Sequence, residues 1–293
     1  MDKKGTFFII LAAVFWGIAG LFVKQLAHYG VSDSGIVFYR SFTTAIIIGL
    51  IAFVRDRSAF RIKLKDLWLF ALNGFFSIVM FNFCYYKTMH LSSLSVAAVL
   101  LYTAPIFVMI ISVFLFGEKL TVKKVLALIL AFFGCVLVSG ALDSVIKLSP
   151  AALIYGLFTG LGYALYTIFS NLLMKRGYGT LTIIFYTFVF SSLGSSVLTA
   201  ATDAGDLLPR IPGVYLWAAL MGFFNTVLPY IFYTVGLRRM EASKAPVIAT
   251  VEPVAATLLG LCYGEKPTVF GVLGIIAVLS SVVIINLGKV KKV

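Results

Sequence analysis

Apolar residues run through this chain in long blocks, each closed by a short stretch of Lys, Asp, Gly, Ser or Pro. A helix that crosses the hydrocarbon core of a bilayer needs about 20 mostly apolar residues, so each block is predicted to be one membrane-spanning helix. Ten are expected, at residues 5–26, 34–54, 67–89, 93–116, 122–142, 150–174, 180–201, 213–237, 242–264 and 269–287. The alternating period of a β-barrel strand is missing, and inside lipid a helix satisfies its own backbone. Ser149 before Pro150 is the expected cap and first turn of the sixth span. The first block follows Asp2, Lys3 and Lys4 and lacks a small-x-small cleavage site, so it is read as a span rather than a signal peptide.

Composition sharpens this. Mean hydropathy is +1.05 and only 12% of residues are charged, about half the roughly 25% of a soluble domain. A soluble or disordered chain is thereby excluded. The net charge of +13 lies in the gaps between blocks, which points to cytoplasmic loop retention and not to nucleic acid. With the N-terminus inside, 18 of the 24 basic residues fall on the inner side. Lys24, Lys87, Lys147, Arg210 and Lys266 fall outside, and Arg40 lies within a span. The expectation is a multi-pass protein of the cytoplasmic membrane with both termini cytoplasmic. Cys84, Cys135 and Cys262 lie inside apolar blocks, and His28 and His90 lie near span ends. That set gives neither a disulfide framework nor a metal site, and no cofactor is implied.

The chain also repeats itself. GEKLTVKKVL at 117–126 and GEKPTVFGVL at 264–273 agree at seven of ten positions. Pro105 matches Pro253, Ser95 matches Ser243, Ala97 matches Ala245 and Gly74 matches Gly222, each at an offset of 148. Five spans per half is an odd number, so the second half enters the membrane inverted. The expected fold is an all-α integral membrane protein of ten transmembrane helices, built as two inverted five-helix repeats at residues 1–142 and 149–293. Two such repeats supply inward- and outward-open packings around one midplane site.

These residues resemble the EamA-like family of the drug/metabolite transporter superfamily. The resemblance covers essentially the whole chain. It rests on Trp16-Gly17 with Lys24, on Arg40, on Pro105 followed by Gly117-Glu118-Lys119, and on Glu252-Pro253 followed by Gly264-Glu265-Lys266. It implies five plus five spans, a cavity between the halves, and carrier transport of small metabolites, often amino acid efflux.

Glu252 is the leading candidate for coupling or substrate binding. An ionised side chain at midspan costs roughly 2.5–3.5 kcal/mol on insertion scales, so it should face a cavity or a partner. Pro253 beside it removes a backbone donor and frees a carbonyl. The plainer alternative is a protonated Glu that only satisfies backbone groups at the kink. Arg40 suits a carboxylate or phosphate of the cargo, with snorkelling to the interface or a structural ion pair as alternatives. The repeat places Thr187 opposite Arg40 and Ala104 opposite Glu252, so the duplicated scaffold demands neither charge. Trp16, Asn82, Tyr86, Tyr102, Tyr163, Asn225 and Tyr230 complete the candidate site, as amides, phenols and an indole that can orient a ligand in an apolar cavity. Most aromatic residues in such a chain only pack. Glu118 and Glu265, present in both halves, are read as structural groups that favour the helix starts at Thr121 and Thr268, with a gate contact as the alternative. Lys123 and Lys124 are read as positive-inside determinants, and Gly156/Gly160 and Gly260/Gly264 as helix contacts.

No GxxxxGK[ST] loop exists to drive a pump, and HExxH and GxSxG are absent, so the chain is not expected to be an enzyme. The reading is a secondary transporter of small metabolites, proton-coupled, most simply an amino acid exporter. An uncoupled facilitator or an uptake carrier for a small polar metabolite is the alternative. Expected partners are the substrate, protons and membrane lipids, with the chain a monomer or homodimer.

Overall fold

Local sequence sets the helix boundaries. Ser32, Ser93, Thr121, Ser149 and Thr268 each accept a hydrogen bond from an amide three residues on, satisfying a donor that a helix start leaves open. The computed structural model describes residues 3–141, 149–207, 211–262, 264 and 268–287. The expected turn at 143–147, Lys147, Arg210, Glu265, Lys266 and the basic residues after 287 lie outside the described residues.

The helical segments are α1 (Lys3–His28), α2 (Asp33–Arg55), α3 (Leu64–Leu91), α4 (Leu94–Phe116) and α5 (Val122–Val138). They continue with α6 (Pro150–Lys175), α7 (Thr180–Leu207), α8 (Pro212–Leu237), α9 (Ala245–Cys262) and α10 (Val269–Asn286). Among the described residues nine are long and apolar enough to cross a membrane. The exception is α5, whose 17 residues rise about 26 Å. It stops at Val138 rather than at 142, because Gly140 turns the chain at φ +67. α9 begins at Ala245 rather than 242, since residues 242–244 form a turn. Large apolar side chains such as Leu50, Val54, Phe114 and Val197 are exposed on the outer faces, as lipid contact requires.

Five helices are irregular, and the first of them, α1, breaks at Ile18. α3 and α8 each carry a π-helical turn, at Phe75–Met80 and Met221–Val227. α4 breaks at Tyr102 and Thr103, and α9 breaks at Thr250. Loosened turns of this kind free backbone groups and often mark functional sites. α1 lies against α8 and α9, whereas α6 lies against α3 and α4. α2 packs on α7 and α8, α7 on α2 and α3, and α5 on α10. The expected Gly156/Gly160 contact is present, since a Cβ on either would strike α4, at Leu100 or Thr103. Gly264 takes φ +83 with open space around it, so it makes a turn and not a helix contact.

Candidate functional site

The centre of the bundle is built from aromatic residues at three-residue spacing, which places each pair on one helix face. Tyr163 and Tyr166 come from α6, Tyr230 and Tyr233 from α8. Trp16 meets Tyr163, Tyr230 and Tyr233 at centroid distances of 5.9, 5.4 and 5.3 Å. Tyr166 and Phe188 stand edge-on to Tyr230 at 4.7 and 4.9 Å. Two hydroxyls are tied down, Tyr166 to Thr234 Oγ1 at 2.8 Å and Tyr233 to Thr167 Oγ1 at 2.6 Å.

Arg40 enters from α2. Its Nη1 donates to Asn82 Oδ1 and its Nη2 to the Tyr230 hydroxyl, both at 3.3 Å. Asn82 in turn donates to the Ile78 carbonyl at 2.7 Å, inside the π turn of α3. The Arg40 Nε is buried and has no hydrogen-bond partner.

Glu252 follows the break in α9 and is half-buried. Among the described residues it makes no hydrogen bond or ion pair, but Arg40 lies within electrostatic reach. Its own charge acts on Tyr85, Tyr102, Tyr163 and Tyr230. Gly17 lets α1 approach this point. A Cβ there would come within 2.9 Å of the Glu252 carbonyl oxygen and 3.0 Å of the Ala256 amide. The Trp16-Gly17 pair therefore has two tasks, with the indole walling the centre and the glycine seating α1 on the Glu252 backbone.

Arg40, Asn82, Tyr230, Trp16 and Tyr163 thus come together, with Glu252 and Tyr102 in the same field. Asn225 does something else: its amide donates to the carbonyls of Phe15 and Trp16 at 2.8 and 3.5 Å, capping the first run of α1 where it breaks. It positions Trp16. Tyr86 stands apart, lining a cavity at the ends of α2, α3 and α7. Tyr166 and Tyr233, span phenols that sequence offers outside the candidate set, also join the centre, as does Phe188, which no sequence signal marks.

At the opposite end a second cluster crosses the molecule. Glu118 accepts from the amides of Ala242 and Ser243 at 2.6 and 3.2 Å and from the Ser243 hydroxyl. Lys124, only 6% exposed in its side chain, bridges Glu118 at 3.3 Å and Glu241 at 3.0 Å. Two expectations are corrected here. Thr121 caps α5, so Glu118 is free to hold the α8–α9 turn, and Lys124 is a buried bridge instead of a surface charge. Burial acts to raise the Glu241 carboxyl, but Lys124 and Lys244 outweigh it and hold the group below its ordinary 4.5. Nearby, Asp66 pairs with Arg176 and accepts from the Tyr178 hydroxyl at 2.7 Å.

Comparison with known proteins gives a consistent picture. The sequence profile of the EamA-like transporter family matches the chain twice, at residues 3–140 and 150–287. An uncharacterized transporter of Archaeoglobus fulgidus is 30% identical over 292 residues, with 96% of each chain covered. The uncharacterized transporter YyaM of Bacillus subtilis is 24% identical, over 92% of this chain and 89% of its own. A solved crystal structure covers 98% of both chains with a TM-score of 0.82 at 17% identity, a likeness of fold alone.

Proposed function

The chain belongs to the EamA-like transporter family, and from that premise we propose that it is a proton-coupled secondary carrier exporting a small zwitterion, an amino acid or close relative, across the cytoplasmic membrane. One observation carries the reading. Arg40 and Glu252 put opposite charges with unused bonding capacity into a single aromatic-walled centre. A carboxylate of the cargo suits the guanidinium fork. Its ammonium suits Glu252 among tyrosine faces, which attract cations.

Coupling follows from the same carboxyl. Cargo ammonium and proton compete for Glu252, so the proton leaves as cargo binds and returns after cargo is released. The scaffold in this reading is ten spans in two inverted repeats, residues 1–142 and 149–293, with both termini inside. Its support is the matched position of the irregularities: π turns in α3 and α8, breaks in α4 and α9 beside Pro105 and Pro253. The Glu118 cluster then lies at the inner face and holds it shut.

The test is flux of a panel of labelled amino acids in proteoliposomes, with and without an imposed pH gradient, for wild type and Glu252→Gln. Gradient-driven flux that Glu252→Gln abolishes is the expected result. Flux indifferent to both gradient and substitution would make the protein an uncoupled facilitator.

A further inference from the structure

Six buried side-chain polar atoms lack a hydrogen-bond partner among the described residues. One is the Arg40 Nε of the centre, and two lie on α3, at Asn73 and Ser77. The other three, Ser112 Oγ, Ser170 Oγ and Asn171 Oδ1, fall at one level between α4 and α6. Gly160 lies against Thr103 at one end of the contact between these helices. At the other end the Lys175 ammonium lies 4.2 Å from the Phe116 ring centroid. The two helices therefore run parallel, and Ser112 comes opposite Ser170 and Asn171. Ser112 and Ser170 are fully buried. Ser170 stands beside the Tyr166 hydroxyl, which is already bonded to Thr234 Oγ1 at 2.8 Å. A buried hydroxyl without a partner has lost its hydration and gained nothing in return, and folded proteins keep few of them.

These atoms lie on a line from the Glu118 cluster to the central site. The Ser112 carbonyl accepts the Glu118 amide at 3.2 Å, so Ser112 sits just beneath the contact of Glu118 with Ser243. Tyr166 of the centre is four residues back from Ser170, on the same face of α6 and about 6 Å deeper. The first run of α9 covers this line. Ala245–Ala249 is apolar and buried throughout, and it packs on both α4 and α6. Its Val247, Ile248 and Ala249 share one cluster with Tyr166 and with Met109, three residues from Ser112. Counted from the Glu118–Ser243 contact, Ser112 and Ile248 are five or six residues in, about 8 Å. Apolar side chains thus lie over polar atoms that they cannot satisfy.

Both ends of this run are built to release it. At one end Glu118 holds the amides of Ala242 and Ser243, a contact made by one carboxylate. At the other end α9 breaks at Thr250, whose hydroxyl turns back to the Val247 carbonyl at 2.7 Å. A few residues at the end of an element are enough to absorb a hinge motion. Beyond the break the chain continues directly into Glu252, so movement of the run is felt at the central site.

We propose that cargo reaches the central site from the inner side between α4 and α6, past Ser112, Ser170 and Asn171, and that Ala245–Ala249 is the plug that closes this route. The cargo and the inner location rest on the carrier reading above; the plug and its latch do not. With the plug swung away, the three polar atoms face the route and meet the charged groups of a zwitterion. The test applies a membrane-impermeant trimethylammonium thiosulfonate to inside-out membrane vesicles carrying the full chain. Cys262→Ser removes the exposed native thiol, and that chain, with the buried Cys84 and Cys135 kept, gives the background rate. Ser112→Cys and Ser170→Cys report the route, and Ser195→Cys, fully buried on α7, reports general loosening. Glu118→Gln releases the latch, and Ser243→Ala does so with less risk to folding. Either should speed modification of Ser112→Cys and Ser170→Cys roughly tenfold and leave Ser195→Cys unchanged, as thiol reactivity follows access. Rates at Ser112→Cys and Ser170→Cys that ignore both latch variants overturn the plug, and so does an equal rise at Ser195→Cys. Faster modification from the outer side of intact cells than in inside-out vesicles overturns entry from the inner side. This readout needs no transport. The expected labelling without amino acid flux would count against the carrier reading alone, and flux with labelling indifferent to the latch against the plugged route alone.

Discussion

Arg40 holds three helices in contact through two long hydrogen bonds and still presents a buried Nε with no partner. Both bonds exceed the usual 2.7–3.2 Å, so the guanidinium is placed but not saturated. A lysine would keep the charge and lose the fork. Arg40→Lys is expected to raise the half-saturating substrate concentration about tenfold or more, with folded yield unchanged. Unchanged affinity with reduced yield would make Arg40 a structural tie. Gly17 gives a second residue-scale prediction. A methyl there meets backbone atoms of α9 at 2.9 and 3.0 Å, which cannot give way cheaply. Gly17→Ala should cost roughly 1–3 kcal/mol, read as a lower thermal midpoint in detergent, and should lower flux. Gly20→Ala, with nothing within 4 Å, is the control and should change neither. The two midspan charges were legible in the sequence because an ionised residue in an apolar block is conspicuous. The seat of Gly17 on Glu252 was not, because it joins residues from opposite ends of the chain.

At the scale of elements, α5 and the turn before α9 form one unit. Glu118, Lys124, Glu241 and Ser243 close it, with Lys124 buried and Glu241 exposed at its edge. Local pattern showed the GEK sequence in both halves but not its partners, which lie 124 and 125 positions away, so it offered a helix-start role or a gate contact without naming what Glu118 holds. The breaks fared better, since Pro105 and Pro253 mark α4 and α9 in sequence. The π turns of α3 and α8 carry no such mark beyond Gly74 and Gly222. The cluster makes stability depend on pH with a definite sign. Glu241 is held below its ordinary 4.5 in the folded chain, so its contribution is complete above that value and is lost as the pH falls through the folded one. The thermal midpoint of the wild type should therefore drop as the pH is lowered below about 4.5, and Glu241→Gln should drop less. An identical drop in both would remove Glu241 from the account. Separately, Glu118→Gln should destabilise the chain by about 1–3 kcal/mol at neutral pH, since it weakens several charge-assisted bonds at once.

Across the whole molecule, helices of one half pack on those of the other: α1 on α8 and α9, α6 on α3 and α4, α2 on α7, α5 on α10. This exchange accords with the two inverted repeats proposed above. The repeat itself was legible from GEK, Pro105 and Pro253, but the pairing of helices depends on which faces meet in space. The pairing matters to function because Arg40 on α2 and Glu252 on α9 share one field only through it. A central site reached alternately from two sides has a kinetic signature, exchange of cargo across the membrane faster than net flux. The most direct measurement is counterflow in proteoliposomes loaded with an unlabelled amino acid and diluted into a trace of the labelled one. Wild type should show a transient overshoot of label, retained in Glu252→Gln although that variant no longer responds to a pH gradient. Label that rises to equilibrium with no overshoot, for every amino acid that moves at all, would contradict it.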